Sequence, residues 1–154
     1  MQHDESSHDK YAVLEEFVQG CPTCSLKFVK PLLEPLASLP ASQLSFYNDA
    51  RFPGTCVLGL KEHAVHWDEI EPETLHAFID DSQRAARAIR KATNCERVNL
   101  AVLGNQSSHI HMHLVPRYST DPEPTRSPWS DPRPFKPFHY DEAQEVMNAI
   151  KKAL

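Results

Sequence analysis

The residues in this chain whose types and spacing could do chemistry lie at 105–117, where His109, His111 and His113 alternate with Ile110, Met112 and Leu114 before Pro116 closes the run. Successive side chains of a strand point to opposite faces, so an extended run puts the histidines on one face and the large apolar residues on the other. Two kinds of chemistry suit such a strand. Imidazoles two residues apart converge on one metal ion, or one neutral imidazole attacks as a nucleophile while its neighbours bind substrate and move protons. A second set is Cys21-Pro22-Thr23-Cys24, directly after Gly20. In a reducing compartment this Cys-x2-Cys spacing serves either a redox pair or half of a zinc site. Redox is the weaker choice, because such a motif would open a long helix, whereas Pro31, Pro35 and Pro40 break up the Leu-rich segment that follows.

The stretch from Gly104 through His109, His111 and His113 to Val115 resembles the signature of the histidine triad (HIT) family, in which His-x-His-x-His follows a polar, Gly-bearing turn. The likeness extends upstream. Phe46-Tyr47-Asn48-Asp49-Ala50-Arg51-Phe52-Pro53-Gly54 and Val57-Leu58-Gly59-Leu60-Lys61-Glu62-His63 are similar to that family's hairpin, where a ribose-binding acid precedes a strand ending in Lys-x-His. The resemblance covers roughly residues 20–118.

What the resemblance implies is specific. His111 would attack the α-phosphorus of a bound nucleotide, forming a nucleotidyl-histidine that water hydrolyses to a nucleoside monophosphate such as AMP. His113 would donate to a phosphate oxygen or the leaving atom, and it stands where the family's nucleotidyltransferases carry Gln, which implies hydrolysis. Asn105, where many members carry Gln, would hold the phosphate together with backbone N–H groups of the Gln106–Ser108 turn, with Ser107 as a proton donor. Asp49 would accept the ribose hydroxyls, with Asn48 as the fallback and Asn99 touching sugar or phosphate; the other reading of Asp49 is an Asx turn. Zinc-carrying relatives pair their Cys-x2-Cys with the histidine ending the upstream strand and the first of the triad, here Cys21, Cys24, His63 and His109, with His66 as a rival. Two thiolates and two imidazoles close a tetrahedral, structural site. The expected substrate is a purine nucleotide joined to an amine (a 5′-phosphoramidate), since no basic cluster suggests a long polyphosphate; a dinucleoside polyphosphate is the alternative. Two further readings are a zinc hydrolase whose triad activates water and a zinc-stapled nucleotide-binding module without turnover. A homodimer formed by sheet extension or helix pairing is also implied.

The elements that must position these residues follow from composition and pattern. At 154 residues, with 40% hydrophobic and 24% charged residues, one globular α+β domain is expected, large enough for a core without staples. A net charge of −5 argues against a nonspecific nucleic-acid binder. No apolar run approaches the roughly 20 residues of a membrane span and no signal-peptide pattern opens the chain, so a cytoplasmic protein is expected. The organisation expected is a frayed segment at 1–9, a HIT-like domain at 10–118, and a Pro-rich arm with a closing helix at 119–154. Within the domain a short helix at 10–19 precedes the cysteines, and strands at 43–49 and 55–60 flank the Pro53-Gly54 turn. A helix from Pro72 to Asn94 follows, with Leu75, Phe78, Ile79, Ala86 and Ile89 on its apolar stripe and Asp80, Asp81, Arg84, Arg87 and Arg90 on a solvated face. Strand 97–104 then turns back at Gly104 into the histidine strand, near the middle of an antiparallel sheet of about five strands. The arm, anchored by Trp129, Phe135 and Phe138, leads to a helix at 141–154 that Asp141 and Gln144 would open with a capping box.

Overall fold

A computed structural model describes residue 21 and residues 33–154. The expected helix at 10–19 and Cys24 lie outside the described residues. Strands β1 (Leu33–Ser38), β2 (Ser42–Tyr47), β3 (Cys56–Leu60), β4 (Arg97–Ala101) and β5 (His111–Arg117) form one antiparallel sheet in the order β1-β2-β3-β5-β4. Helix α1 (Pro72–Thr93) and the C-terminal helix α2 (Tyr140–Ala153) pack against each other, and α2 also reaches β1. This is the α+β architecture expected, with the histidine strand one place in from the edge.

Register divides the sheet into a core face and a histidine face. His111 pairs with Gly59, and His113 pairs with Val57 on one side and Ala101 on the other. On the opposite face Leu44, Phe46, Leu58, Met112 and Leu114 join Phe78, Ala85, Ala88 and Ile89 of α1 and Met147 and Ile150 of α2 in one core. Fully burying a side chain of this size stabilises by about 1.5–3 kcal/mol, which is what fixes the register.

Pro72 occupies the first turn of α1 and Asn94 ends it in the left-handed conformation, φ 52°. Two residues on that helix depart from the pattern reading. Ile79 is exposed, one residue past the stripe, whereas Asp81 is buried and accepts from the Ala41 N–H at 2.9 Å and the Ser42 hydroxyl at 2.7 Å. Asp81 therefore bolts α1 to the β1–β2 turn and is not part of a solvated face. Pro35 lies inside β1, which tolerates it because β1 is an edge strand with a bulge between Pro35 and Ala37. The histidine strand begins at His111 rather than His109, and β4 stops at Ala101. Helix α2 opens at His139 without a side-chain cap, so Asp141 only adds negative charge to its first turn.

The arm runs from the histidine face around the β2–β3 hairpin to the helices. Ala50 N–H donates to the Lys136 carbonyl at 2.7 Å, Phe138 N–H donates to Asn48 Oδ1 at 2.9 Å, and the Phe138 ring lies 6.1 Å from Phe46. No helix among the described residues is long and apolar enough to cross a membrane.

Candidate functional site

His111 and His113 project from β5 half-buried, their ring centroids 5.0 Å apart and their planes at 71°. His111 Nδ1 lies 2.8 Å from the backbone carbonyl of His109. Only a protonated Nδ1 can make that bond, so in the neutral ring Nε2 carries the lone pair. Burial, aided by the neighbouring His111, pushes the His113 pKa down to about 4. His113 is thus neutral near pH 7 and offers one N–H and one lone pair.

His109, expected beside them on the strand, precedes it and is buried. Its Nε2–H donates to the Leu60 carbonyl at 2.7 Å, which leaves the Nδ1 lone pair facing His63 Nδ1 at 3.2 Å and Cys21 Sγ at 3.4 Å. Desolvation lowers the His109 pKa, favouring the neutral form a metal requires. One donor atom from each of Cys21, His63 and His109 lies within 4.8 Å of the others. A thiol and two imidazoles in that space suit a tetrahedral N/S ion such as zinc, and the tautomer of His109 is already set for it. Among the described residues the cluster does not include His66, which is exposed at the entry to a short 3₁₀ turn at Trp67–Glu69.

The turn before the triad is open. Asn105 and Gln106 are exposed, Ser107 and Ser108 half-buried, and Gly104 takes φ 73° to start it. The residues expected to meet a nucleoside are placed differently. Asp49 is buried and takes the Asx-turn form: Oδ1 accepts from the Arg51 N–H at 3.0 Å, and the Arg51 guanidinium covers both oxygens, with Nη2 2.8 Å from Oδ2. Asn48 Oδ1 holds Phe138, and Asn99 Oδ1 accepts from Arg117 Nη1 at 3.0 Å.

Arg117, at the end of the histidine strand, was not singled out from sequence. Its side chain is buried and donates to Asp121 Oδ2 (2.9 Å) and to the carbonyls of Arg126 (2.6 Å) and Glu123 (3.1 Å), so it winds the start of the arm around itself. Asp121, four residues on, was the available signal. The guanidinium carbons of Arg51, Arg117 and Arg133 lie 5.7, 5.4 and 5.2 Å from the Phe52 ring centre, a cation–π bracket that joins hairpin, strand and arm. The arm thereby delivers Trp129, whose ring stands 5.5 Å from that of His113 at 84°. A cavity of about 450 Å³ is lined in part by Arg51, Thr93, Tyr118, Asp121 and Arg133, and no triad histidine lines it. The chemistry therefore points to the open histidine face rather than to that cavity.

The HIT domain model matches residues 40–120, more than half of the chain, and the chain belongs to the HIT family. An uncharacterised HIT-like protein of Methanocaldococcus jannaschii is 30% identical over 67 residues; the match takes in 41% of this chain and spans about half (52%) of that relative. Among solved structures, a histidine triad protein of Sinorhizobium meliloti superposes with a TM-score of 0.75 at 22% identity, covering 83% of this chain and 94% of that one. A zinc-bound histidine triad family protein of Mycobacterium smegmatis gives 0.63 at 20% identity, covering 87% and 95%. Plasmodium falciparum diadenosine triphosphate hydrolase gives 0.56 at 17% identity, covering 81% and 77%.

Proposed function

We propose that this protein is a HIT-type hydrolase that cleaves a nucleoside 5′-phosphoramidate or related conjugate through a nucleotidyl-histidine intermediate and releases a nucleoside monophosphate such as AMP. The observation that carries this reading is the 2.8 Å bond from His111 Nδ1–H to the His109 carbonyl, which places the ring proton on Nδ1 and leaves Nε2 as the attacking nitrogen. His111 Nε2 forms a bond to the α-phosphorus as the bond to the leaving amine breaks, and the amine departs with the proton of the Ser107 hydroxyl. Water then attacks phosphorus and returns a proton to Ser107, the P–N bond to His111 breaks, and the neutral imidazole is restored. His113, neutral through burial, donates its N–H to a phosphate oxygen, while Asn105 and the N–H groups at Gln106–Ser108 hold the charge that develops. Cys21, His63 and His109, with Cys24 as fourth ligand, would hold zinc. Held there, the ion would tie Cys21 to the residues flanking β3 and β5 and supply stability rather than reactivity.

The same site favours a short conjugate over a long polyphosphate, because Arg51, Arg117 and Arg133 are each paired with a carboxylate. The name of the Plasmodium relative makes diadenosine polyphosphates the second substrate class to assay. The test is intact-protein mass spectrometry after rapid quenching with adenosine 5′-phosphoramidate. Wild type is expected to release AMP and to show an adduct of one adenylyl group, and His111→Ala to lose the adduct and about 10³-fold or more of the rate. AMP release without an adduct, following zinc content, would transfer the reaction to a metal-activated water.

A further inference from the structure

The cavity of about 450 Å³ that no triad histidine lines has hydrogen-bonding groups left over in its walls. Asp121 is one source. Its side chain is 2% exposed, and Oδ2 accepts from Arg117 Nε at 2.9 Å and from the Tyr118 N–H at 3.1 Å, whereas Oδ1 accepts no hydrogen bond among the described residues and stands 3.7 Å from Arg133 Nη2. A buried carboxylate oxygen in that state costs free energy until a donor reaches it. Arg133 is the reverse case. Asp131 takes its Nε and Nη2 at 2.9 Å each and the Phe52 ring lies 5.2 Å from the guanidinium carbon, which fixes the group, while Nη1 donates to nothing among the described residues. Ala92 and Thr93 bring the C-terminal end of α1 to the same cavity. The helix ladder has run out there: Cys95 N–H donates to Thr93 Oγ1 at 3.3 Å and Glu96 N–H to the Arg117 carbonyl at 3.0 Å, so the Lys91 and Ala92 carbonyls lose the donors that would continue it. Such an end carries partial negative charge and favours a cation. Ala50, Pro53 and Val146 add an apolar wall.

Charge balance narrows the ligand. Asp49, Asp131 and Arg117 pair with Arg51, Arg133 and Asp121, so the walls carry no net charge and suit neither a free anion nor a free cation. They lack one donor and one acceptor side by side. We propose that this cavity is a second ligand site, separate from the histidine face, and that it takes a free α-amino acid with an apolar side chain. The ammonium donates to Asp121 Oδ1 and the end of α1, the carboxylate accepts from Arg133, and the side chain lies on the apolar wall. The 3.7 Å between Asp121 Oδ1 and Arg133 Nη2 suits two charged groups on one carbon, whereas each residue added to a peptide separates its ends by about 3.3–3.6 Å more. The site stands whether or not the histidine face hydrolyses phosphoramidates.

Calorimetric titration of the full chain with L-valine, L-leucine, L-methionine and L-phenylalanine tests it, followed by the N-acetyl and the amide derivative of the tightest binder and by competition with AMP. At least one amino acid should bind with a Kd below about 5 mM and raise the melting temperature. Removing either ligand charge should weaken binding about tenfold or more, and Arg133→Gln should do the same. Ala92→Leu, which fills the cavity and leaves both charged groups in place, should abolish binding, and AMP should not displace the amino acid. The melting temperature of each unliganded variant separates these losses from misfolding; should Arg133→Gln melt lower through the loss of its pair with Asp131, Ala92→Leu decides. No binding of any amino acid, a derivative that binds as tightly as its parent, binding that survives Ala92→Leu, or displacement by AMP would each overturn the proposal.

Discussion

His63 Nδ1 and His109 Nδ1 face each other at 3.2 Å, and the second ring nitrogen of His109 is tied to the Leu60 carbonyl. Two nitrogens at that separation share a proton or a cation, and Cys21 Sγ at 3.4 Å from His109 Nδ1 favours the cation. Protein purified without chelator is expected to contain about one zinc per chain by inductively coupled plasma mass spectrometry. His63→Ala should lower that content and the melting temperature together, by roughly 6–12 °C for a loss of about 3 kcal/mol. Full stability in a metal-free wild type would remove the structural role assigned to the ion.

The pH dependence of stability has a defined sign. His113 is held neutral down to about pH 4 by burial and by its neighbour His111, and desolvation lowers His109 in the same direction. In the unfolded chain a histidine titrates near about 6.5. Between these values the unfolded chain binds protons that the folded chain does not, so stability is fully present above about pH 6.5 and declines as pH falls toward 4. Urea midpoints measured across this window should fall with pH, and His113→Asn should flatten part of the slope. A slope unchanged in that variant would show that the His113 ring is better solvated than its burial indicates.

Asp81 joins α1 to the β1–β2 turn through the Ala41 N–H and the Ser42 hydroxyl. Asp81→Ala leaves both donors without their acceptor and should cost about 2–3 kcal/mol in urea unfolding, while Asp81→Asn, which retains an amide oxygen, should recover part of it. A change below about 0.5 kcal/mol would mean that water replaces the carboxylate at no cost.

Gly54 has φ 96°, and a Cβ there would stand 2.6 Å from Thr93 Cγ2. Gly54→Ala should destabilise by about 1–3 kcal/mol. Adding Thr93→Ser, which removes that methyl and keeps the hydroxyl bonded to the Ile89 carbonyl at 2.7 Å, should relieve the steric part and leave the backbone part. Equal losses in single and double variants would assign the whole cost to φ.

Strand β4 is the sheet edge opposite β1, with Leu100 in it and Leu103 just after it each 50% exposed. We propose that a second copy pairs along this edge, since an apolar edge strand with no neighbour among the described residues invites another strand. Sedimentation velocity should show a dimer for wild type and a monomer for Leu100→Asp; a monomeric wild type at about 100 µM would exclude the pairing.

The histidine pair was legible because alternation sorts a strand's faces whatever surrounds it, and α1 because Pro72 and Asn94 mark its ends by backbone geometry alone. Burial of Asp81 was not legible, because a charged residue at the margin of an apolar stripe reads as solvated until its partners, forty residues away, are known. The role of Asp49 turned on a guanidinium two residues along and on an arm some eighty residues later. His109 was assigned to the strand by spacing, whereas its contacts with Leu60, His63 and Cys21 draw it inward before the ladder begins. The expected capping box at Asp141 did not form, since the chain enters α2 from His139.

His111, His113 and Arg117 all belong to the seven residues of β5. Arg117 winds the arm that carries Trp129, so the imidazoles and the indole wall share a single rigid reference frame. A displacement of β5 would carry the imidazoles and, through Arg117, the start of the arm together, so the contact between Trp129 and His113 is set from one strand.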